Sequence, residues 1–132
     1  MIERIEHHGK LYALVVRANY EPEGINFITS ADNPLQLGIL THKRDSKIKP
    51  HIHRNFPKTI NEVQEVLHIE YGKIEAKFYE SKGNKIGSTI LNSGDTILLL
   101  SGGHGFDIIE DSKIIEVKQG PYQGVEEDKE RL

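Results

Sequence analysis

The sequence predicts an all-β sandwich or barrel, and three observations carry that expectation. Turn signals recur at short intervals, at Asn33-Pro34, Pro50, Pro57, Gly72, Lys82-Gly83-Asn84, Ser93-Gly94-Asp95, Gly102-Gly103 and Gly120-Pro121. The runs between them, 11–17, 35–41, 63–71, 73–79, 96–100, 106–109 and 113–117, are short and rich in Val, Ile, Leu, Tyr and Phe. Within 73–79 the alternation is clean, Ile74, Ala76 and Phe78 against Lys73, Glu75 and Lys77, as in a strand with one face on a core.

In chain order, residues 1–8 are charged and unlike a signal sequence. Residues 11–16 are apolar at both parities, Leu11, Ala13 and Val15 against Tyr12, Leu14 and Val16, so one face packs the core and the other predicts a homodimer. Around 43–58 the chain is basic, and Pro50 biases its neighbours toward extended backbone. For 61–70 two readings compete. Thr59-Ile60-Asn61-Glu62 fits a helical capping box, with Ile60, Val63 and Leu67 on one stripe. Strand parity explains more residues, with Val63, Leu67, Ile69 and Tyr71 on one face beside Glu65, and Gln64, Val66, His68 and Glu70 on the other. The charged tail 126–131 reads as a frayed or surface segment.

The length of 132 residues fits one domain over 1–132, which buries about two-thirds of its unfolded surface and needs no structural metal or disulfide to hold a core. With no cysteine, thiolate metal sites, iron–sulfur ligation and cysteine nucleophiles are excluded. Seventeen Lys and Arg against twenty Asp and Glu give a net charge of −3, which supplies no field for a nucleic-acid backbone. The longest apolar runs, such as 97–100, fall far short of the roughly twenty residues that span a bilayer, so a cytoplasmic protein is expected.

What chemistry remains rests on histidine and carboxylate. His51 and His53 stand two apart in Lys49-Pro50-His51-Ile52-His53, where extended backbone would turn both rings to one side. Such a pair chelates a divalent cation through neutral ring nitrogens, or is simply two solvated loop histidines. Glu65 lies on the apolar face of the next long strand, where a carboxylate must be paired, protonated or bound to a cation. His104 sits at the turn Gly102-Gly103-His104-Gly105-Phe106. His51, His53, Glu65 and His104 together would leave a divalent ion with net positive charge, a Lewis acid with positions open to water or substrate. His7, His8, His42 and His68 read as surface residues.

These residues resemble the cupin superfamily. Its first motif is similar to the pair His51 and His53 followed by Glu65 and Gly72, and its second to Gly94-Asp95 leading through Ile97, Leu98, Leu99 and Leu100 to His104 and Phe106. The resemblance covers 45–106 and implies a jelly-roll barrel (double-stranded β-helix) with one divalent metal ion, Fe, Mn, Ni or Zn not being distinguished. Residues 54–64 lengthen the interval between His53 and the glutamate well beyond the family's habit, which leaves Glu62 as an alternative to Glu65. The motif's opening Gly is Asp45, and the Pro of its second turn is Ser101. A narrower resemblance, through 59–67, 102–106 and 116–122, is to small cupins of bacterial surface-sugar pathways. It implies a carbohydrate or nucleotide-sugar ligand.

Lys43, Arg44, Lys47, Lys49, Arg54 and Lys58 surround the histidine pair as solvated charges or as an electrostatic lure for an anionic, sugar-derived substrate. Arg54 is the best placed. Lys118, Gln119 and Tyr122 follow the last strong strand and are candidates to line a pocket. The expected function is that of a metal-dependent enzyme acting on a small polar substrate. The alternative is a non-catalytic module that binds metal and sugar.

Overall fold

The computed structural model describes residues 1–132 and bears out the all-β class, with 48% of the chain in strands and 3% in helix. Eight strands run in order, β1 (Ile2–His7), β2 (Lys10–Val16), β3 (Gly24–Phe27), β4 (Gly38–Thr41), β5 (Glu65–Tyr79), β6 (Lys85–Asn92), β7 (Thr96–Leu99) and β8 (Gly103–Lys118), before a one-turn helix α1 (Val125–Asp128). No helix is long and apolar enough to cross a membrane. The chain forms two compact units, one of Met1–Tyr20 with Val63–Leu132 and one of Glu21–Glu62.

In the larger unit the strands form a curled antiparallel half-barrel with order β1-β2-β7-β5-β6, and β8 pairs with β5 on its other side. β5 is the spine. It pairs with β8 from Glu65↔Lys118 to Tyr79↔Gly103, while β7 takes the first part of its opposite edge and β6 the second. Its inward residues Leu67, Ile69, Ile74, Ala76 and Phe78 form the core with Ala13, Val15, Leu91, Ile97 and Leu99. Fully burying a side chain the size of Ile74 or Phe78 contributes roughly 1.5–3 kcal/mol, so this single cluster dominates the unit's stability.

Gly72, which the sequence presents as a turn between two strands, is instead a bend inside one. The ladder with β8 slips between Ile69 and Ile74, and Gly72 takes φ 107, a left-handed value that favours glycine. A Cβ there would lie 2.6 Å from Ser112 Cα and against the Asp111 carbonyl. Backbone donors freed by the bend are recovered by hydroxyls, since Gly72 N–H donates to Ser93 Oγ at 3.0 Å and Lys73 N–H to Ser112 Oγ at 3.1 Å. On the partner strand, the runs 106–109 and 113–117 likewise merge into β8.

The helix weighed for 61–70 does not form; the strand reading holds from Glu65 onward. Face assignments at its margins are corrected. Val63 is 59% exposed and Gln64 1%, because the strand has not begun there, and Tyr71 turns outward at 53% where the bend shifts the parity. β1, β3 and β6 escaped the sequence reading because polar residues and glycines break their apolar runs. Both faces of β2 are covered within this chain, Tyr12, Leu14 and Val16 no less than Ala13 and Val15. The bare face from which a homodimer was expected is therefore absent.

The ends of the sheet, β1 and β6, share no backbone ladder, and side chains join them. All five Arg17 donors are used: Nε and Nη2 reach Glu3 on β1, Nη2 also reaches Thr89 and Nη1 the Ile90 carbonyl on β6, and Nη1 donates to Asp95 Oδ2 at 3.0 Å. Asp95, 4% exposed, also accepts from the Ala18 and Asn92 amides.

The smaller unit is a β3–β4 hairpin with an ordered connection. Gln36 Nε2 donates to the Ser30 and Asn33 carbonyls and Thr29 Oγ1 to Gln36 Oε1. After β4 it contains no further strand or helix, and a cavity of about 760 Å³ lies between 30–36 and 56–62.

Replacing Gly72 by Ala should cost about 3 kcal/mol, from positive-φ strain and the clash with the β8 backbone together. Urea unfolding with an unchanged slope measures it, and a loss below about 1 kcal/mol would show that the bend accepts a side chain.

Candidate functional site

Two of the four expected metal ligands meet in the larger unit. Glu65 opens β5 and is 9% exposed, on the inward face with Leu67. His104, near the start of β8, stands opposite the buried Phe78 and shares its face. The bend in β5 and β8 brings the two ends together, so that His104 Nε2 lies 3.8 Å from Glu65 Oε2. Phe106 packs beside the imidazole with ring centroids 5.7 Å apart.

Around this pair the ladder adds groups that the sequence reading left without a role. Glu116 and Lys118 of β8 stand opposite Leu67 and Glu65, which turns both inward. Burial, and then the hydrogen bond and negative charge of Glu116, push the Glu65 carboxyl up to about 7, against the opposing pull of Lys118 and Lys129. Burial lowers the His104 imidazole below its ordinary value. Each group is thus biased toward its neutral form, which for His104 is the ligating form, whereas Glu65 would release its proton on binding a cation. Glu116 had a usable signal, the alternation of Ile114, Glu116 and Lys118 with Ile115 and Val117, readable only once β8 was known to be a single strand.

Lys118 donates to Asp128 Oδ2 of α1 at 3.0 Å and lies 5.5 Å from the Tyr122 ring centroid, so the two proposed substrate contacts are neighbours. Gln64 N–H donates to Gln119 Oε1 at 2.8 Å, while Gln119 Nε2 is buried without a partner. An orphaned buried donor costs about 1–3 kcal/mol and marks a place for an acceptor.

His51, His53 and Arg54 belong to the smaller unit, so the four expected ligands are divided two and two. The segment that carries them is not the strand expected; Pro50 lacks the donor a ladder requires. The rings nonetheless stay close, with centroids 5.2 Å apart. His51 Nδ1 lies 2.8 Å from the Lys49 carbonyl, to which it donates, leaving Nε2 with a free lone pair for a metal. Arg54 is exposed, as is Glu62, which lines the cavity of this unit. Of the two competing carboxylates, Glu65 is the one paired with His104.

A carboxyl raised from 4.5 to about 7 makes the metal-free fold less stable as pH rises through that interval, because the unfolded chain ionises first. The lowered His104 acts oppositely, losing stability as pH falls below 6.5. Glu65→Gln should therefore be more stable than wild type at pH 8 in chelator and nearly equal at pH 4.5, by thermal melting. An equal offset at both pH values would remove the buried-carboxyl account.

No protein-family model matches the chain, and no curated protein or solved structure matches it either.

Proposed function

We propose that the chain is a small metal-dependent cupin that acts on a small polar, sugar-derived substrate, with Glu65 and His104 as ligands of a divalent ion; it is the resemblance to cupins that adds His51 and His53 to the set. The observation that carries this reading is the buried Glu65 beside the partly exposed His104, 3.8 Å apart from opposite ends of β5 and β8. Three imidazoles and one carboxylate suit Fe, Mn, Ni or Zn, and the donor set fits such an ion without thiolate. When bound, the ion supplies Lewis acidity to a substrate oxygen.

The protein's own groups define what that substrate looks like. The unpartnered Gln119 Nε2 offers a hydrogen bond to a hydroxyl or carbonyl oxygen. Lys118, with Tyr122 beside it, contributes positive charge next to Glu65, and Glu116 adds a second carboxyl at the same level of the ladder. Arg54 and its basic neighbours favour an anionic substituent such as a phosphate. A sugar phosphate or nucleotide sugar carries both kinds of group, hydroxyl oxygens and negative charge.

Purified protein should carry close to one divalent ion per chain at this site by elemental analysis, counted as the difference from the protein carrying both His53→Ala and His104→Ala. His53→Ala and His104→Ala should each lose most of it with circular dichroism unchanged, since the core does not depend on the metal. Between the two carboxylates, Glu65→Gln should cut affinity at least tenfold and Glu62→Gln leave it alone. Full occupancy in both histidine variants would defeat the assignment, and turnover of nucleotide sugars by the loaded protein separates an enzyme from a binding module.

A further inference from the structure

A second group of metal-ligating side chains lies away from the site above, where the β1–β2 hairpin meets the β5–β6 turn. His7 ends β1, His8 is the first residue of the two-residue loop to β2, and Glu80 directly follows β5. His7 Nε2 lies 3.1 Å from Glu80 Oε1, and the His7 and His8 rings are 4.0 Å apart in an edge-on arrangement. One ligand atom from each of the three residues falls within 4.8 Å of the others. Tetrahedral zinc, with bonds of about 2.0–2.1 Å, needs its ligand atoms roughly 3.4 Å apart.

Two features of the backbone prepare this arrangement. The loop His8-Gly9 has φ 50 and 74, the pair of positive values that a two-residue hairpin turn requires. Glycine, asparagine or aspartate normally takes the first position; a histidine there accepts strain and carries its ring round beside His7. Opposite it, Glu80 is held by its own turn. Its amide donates to the Asn84 carbonyl at 2.8 Å, its carbonyl accepts from Gly83, and Asn84 Nδ2 reaches Glu80 Oε2 at 3.3 Å. His7 and Glu80 are about one-third exposed, so the ligands are fixed yet open to solvent.

We propose that His7, His8 and Glu80 form a second divalent-cation site, of the two-histidine, one-carboxylate type with an open fourth position, selective for zinc-like ions. Its place gives it a role. β1 and β6 are the unpaired ends of the sheet, and the Arg17 cluster joins them at one extremity. The His7–Glu80 contact joins β1 to the start of the β5–β6 turn at the other, across 73 positions of sequence. A bound ion turns that contact into a coordinate clamp, so zinc at this site stabilises the fold rather than reacting with substrate.

The test uses the full chain carrying His53→Ala and His104→Ala, which separates the clamp from the barrel ligands, with folding verified by circular dichroism. Titration with Zn²⁺ alone against a chromophoric chelator should show one ion still bound per chain and a rise in melting temperature. Adding His8→Ala or Glu80→Gln should weaken that binding at least tenfold and abolish the rise. Absence of bound zinc in the parent, or a change smaller than tenfold in both added variants, would overturn the clamp. Neither result depends on the barrel site, whose assignment stands or falls on the metal content of His53→Ala and His104→Ala in the otherwise unaltered chain.

Discussion

Everything in the larger unit hangs on one buried carboxylate. Asp95 stands at the β6–β7 turn, where it ties together the end of β2 through Ala18, the preceding strand through Asn92, and the edge strands β1 and β6 through Arg17. Its own carbonyl accepts from Ile69, and the neighbouring Gly94 amide donates to the Ile69 carbonyl, so the spine strand is gripped there too. A buried charge is tolerated only when it is paired and hydrogen-bonded, and here two backbone amides and a guanidinium do so. Removing one member of such a set leaves the others unpaired in an apolar surround, which costs far more than the bond itself contributes.

That grip makes the bend at Gly72 useful. A straight strand of fifteen residues would hold its two ends about 45 Å apart, and residues on them would never share a site. Bent with β8 around Ser112, the same strand brings the level of Glu65 back over the level of Phe78, and His104 beside Phe78 arrives at the carboxylate. The interval from Glu65 to Gly72 thus has a mechanical meaning: it is the length of the arm that reaches from hinge to ligand. Burial follows from the same geometry for Glu65, which lies under the bent sheet, while His104 stays partly open to solvent at its edge.

Much of this was legible in the residues, and the failures share a cause. Period-two alternation found 73–79 and the inward parity of Glu65 because each signal is local. It misjudged Gly72 and the break between 109 and 113, where glycine and polar residues read as turns although the partner strand carries the chain straight on. Pairing is a nonlocal fact. Glu116 was overlooked for the same reason: its inward aim depends on the register with Leu67, which no window around residue 116 contains. His51 and His53 were expected in a strand from Pro50 alone, yet proline's extended bias is equally satisfied in a loop, and a loop is what forms.

The junction between β1 and β6 has a consequence for how the wall of the unit can part. A barrel closed by a continuous ladder has a perimeter set by its strand number and stagger, and widening it means breaking a row of backbone hydrogen bonds at once. Here the loop of strands is fastened like a cuff, by a guanidinium at one end and an imidazole–carboxylate contact at the other. The imidazole–carboxylate contact, about one-third exposed, exchanges with water at modest net cost, whereas the guanidinium is held by the buried Asp95, so the cuff parts at one end only while every ladder stays intact. With that end parted, the spine strand and the buried aspartate still hold the wall in register.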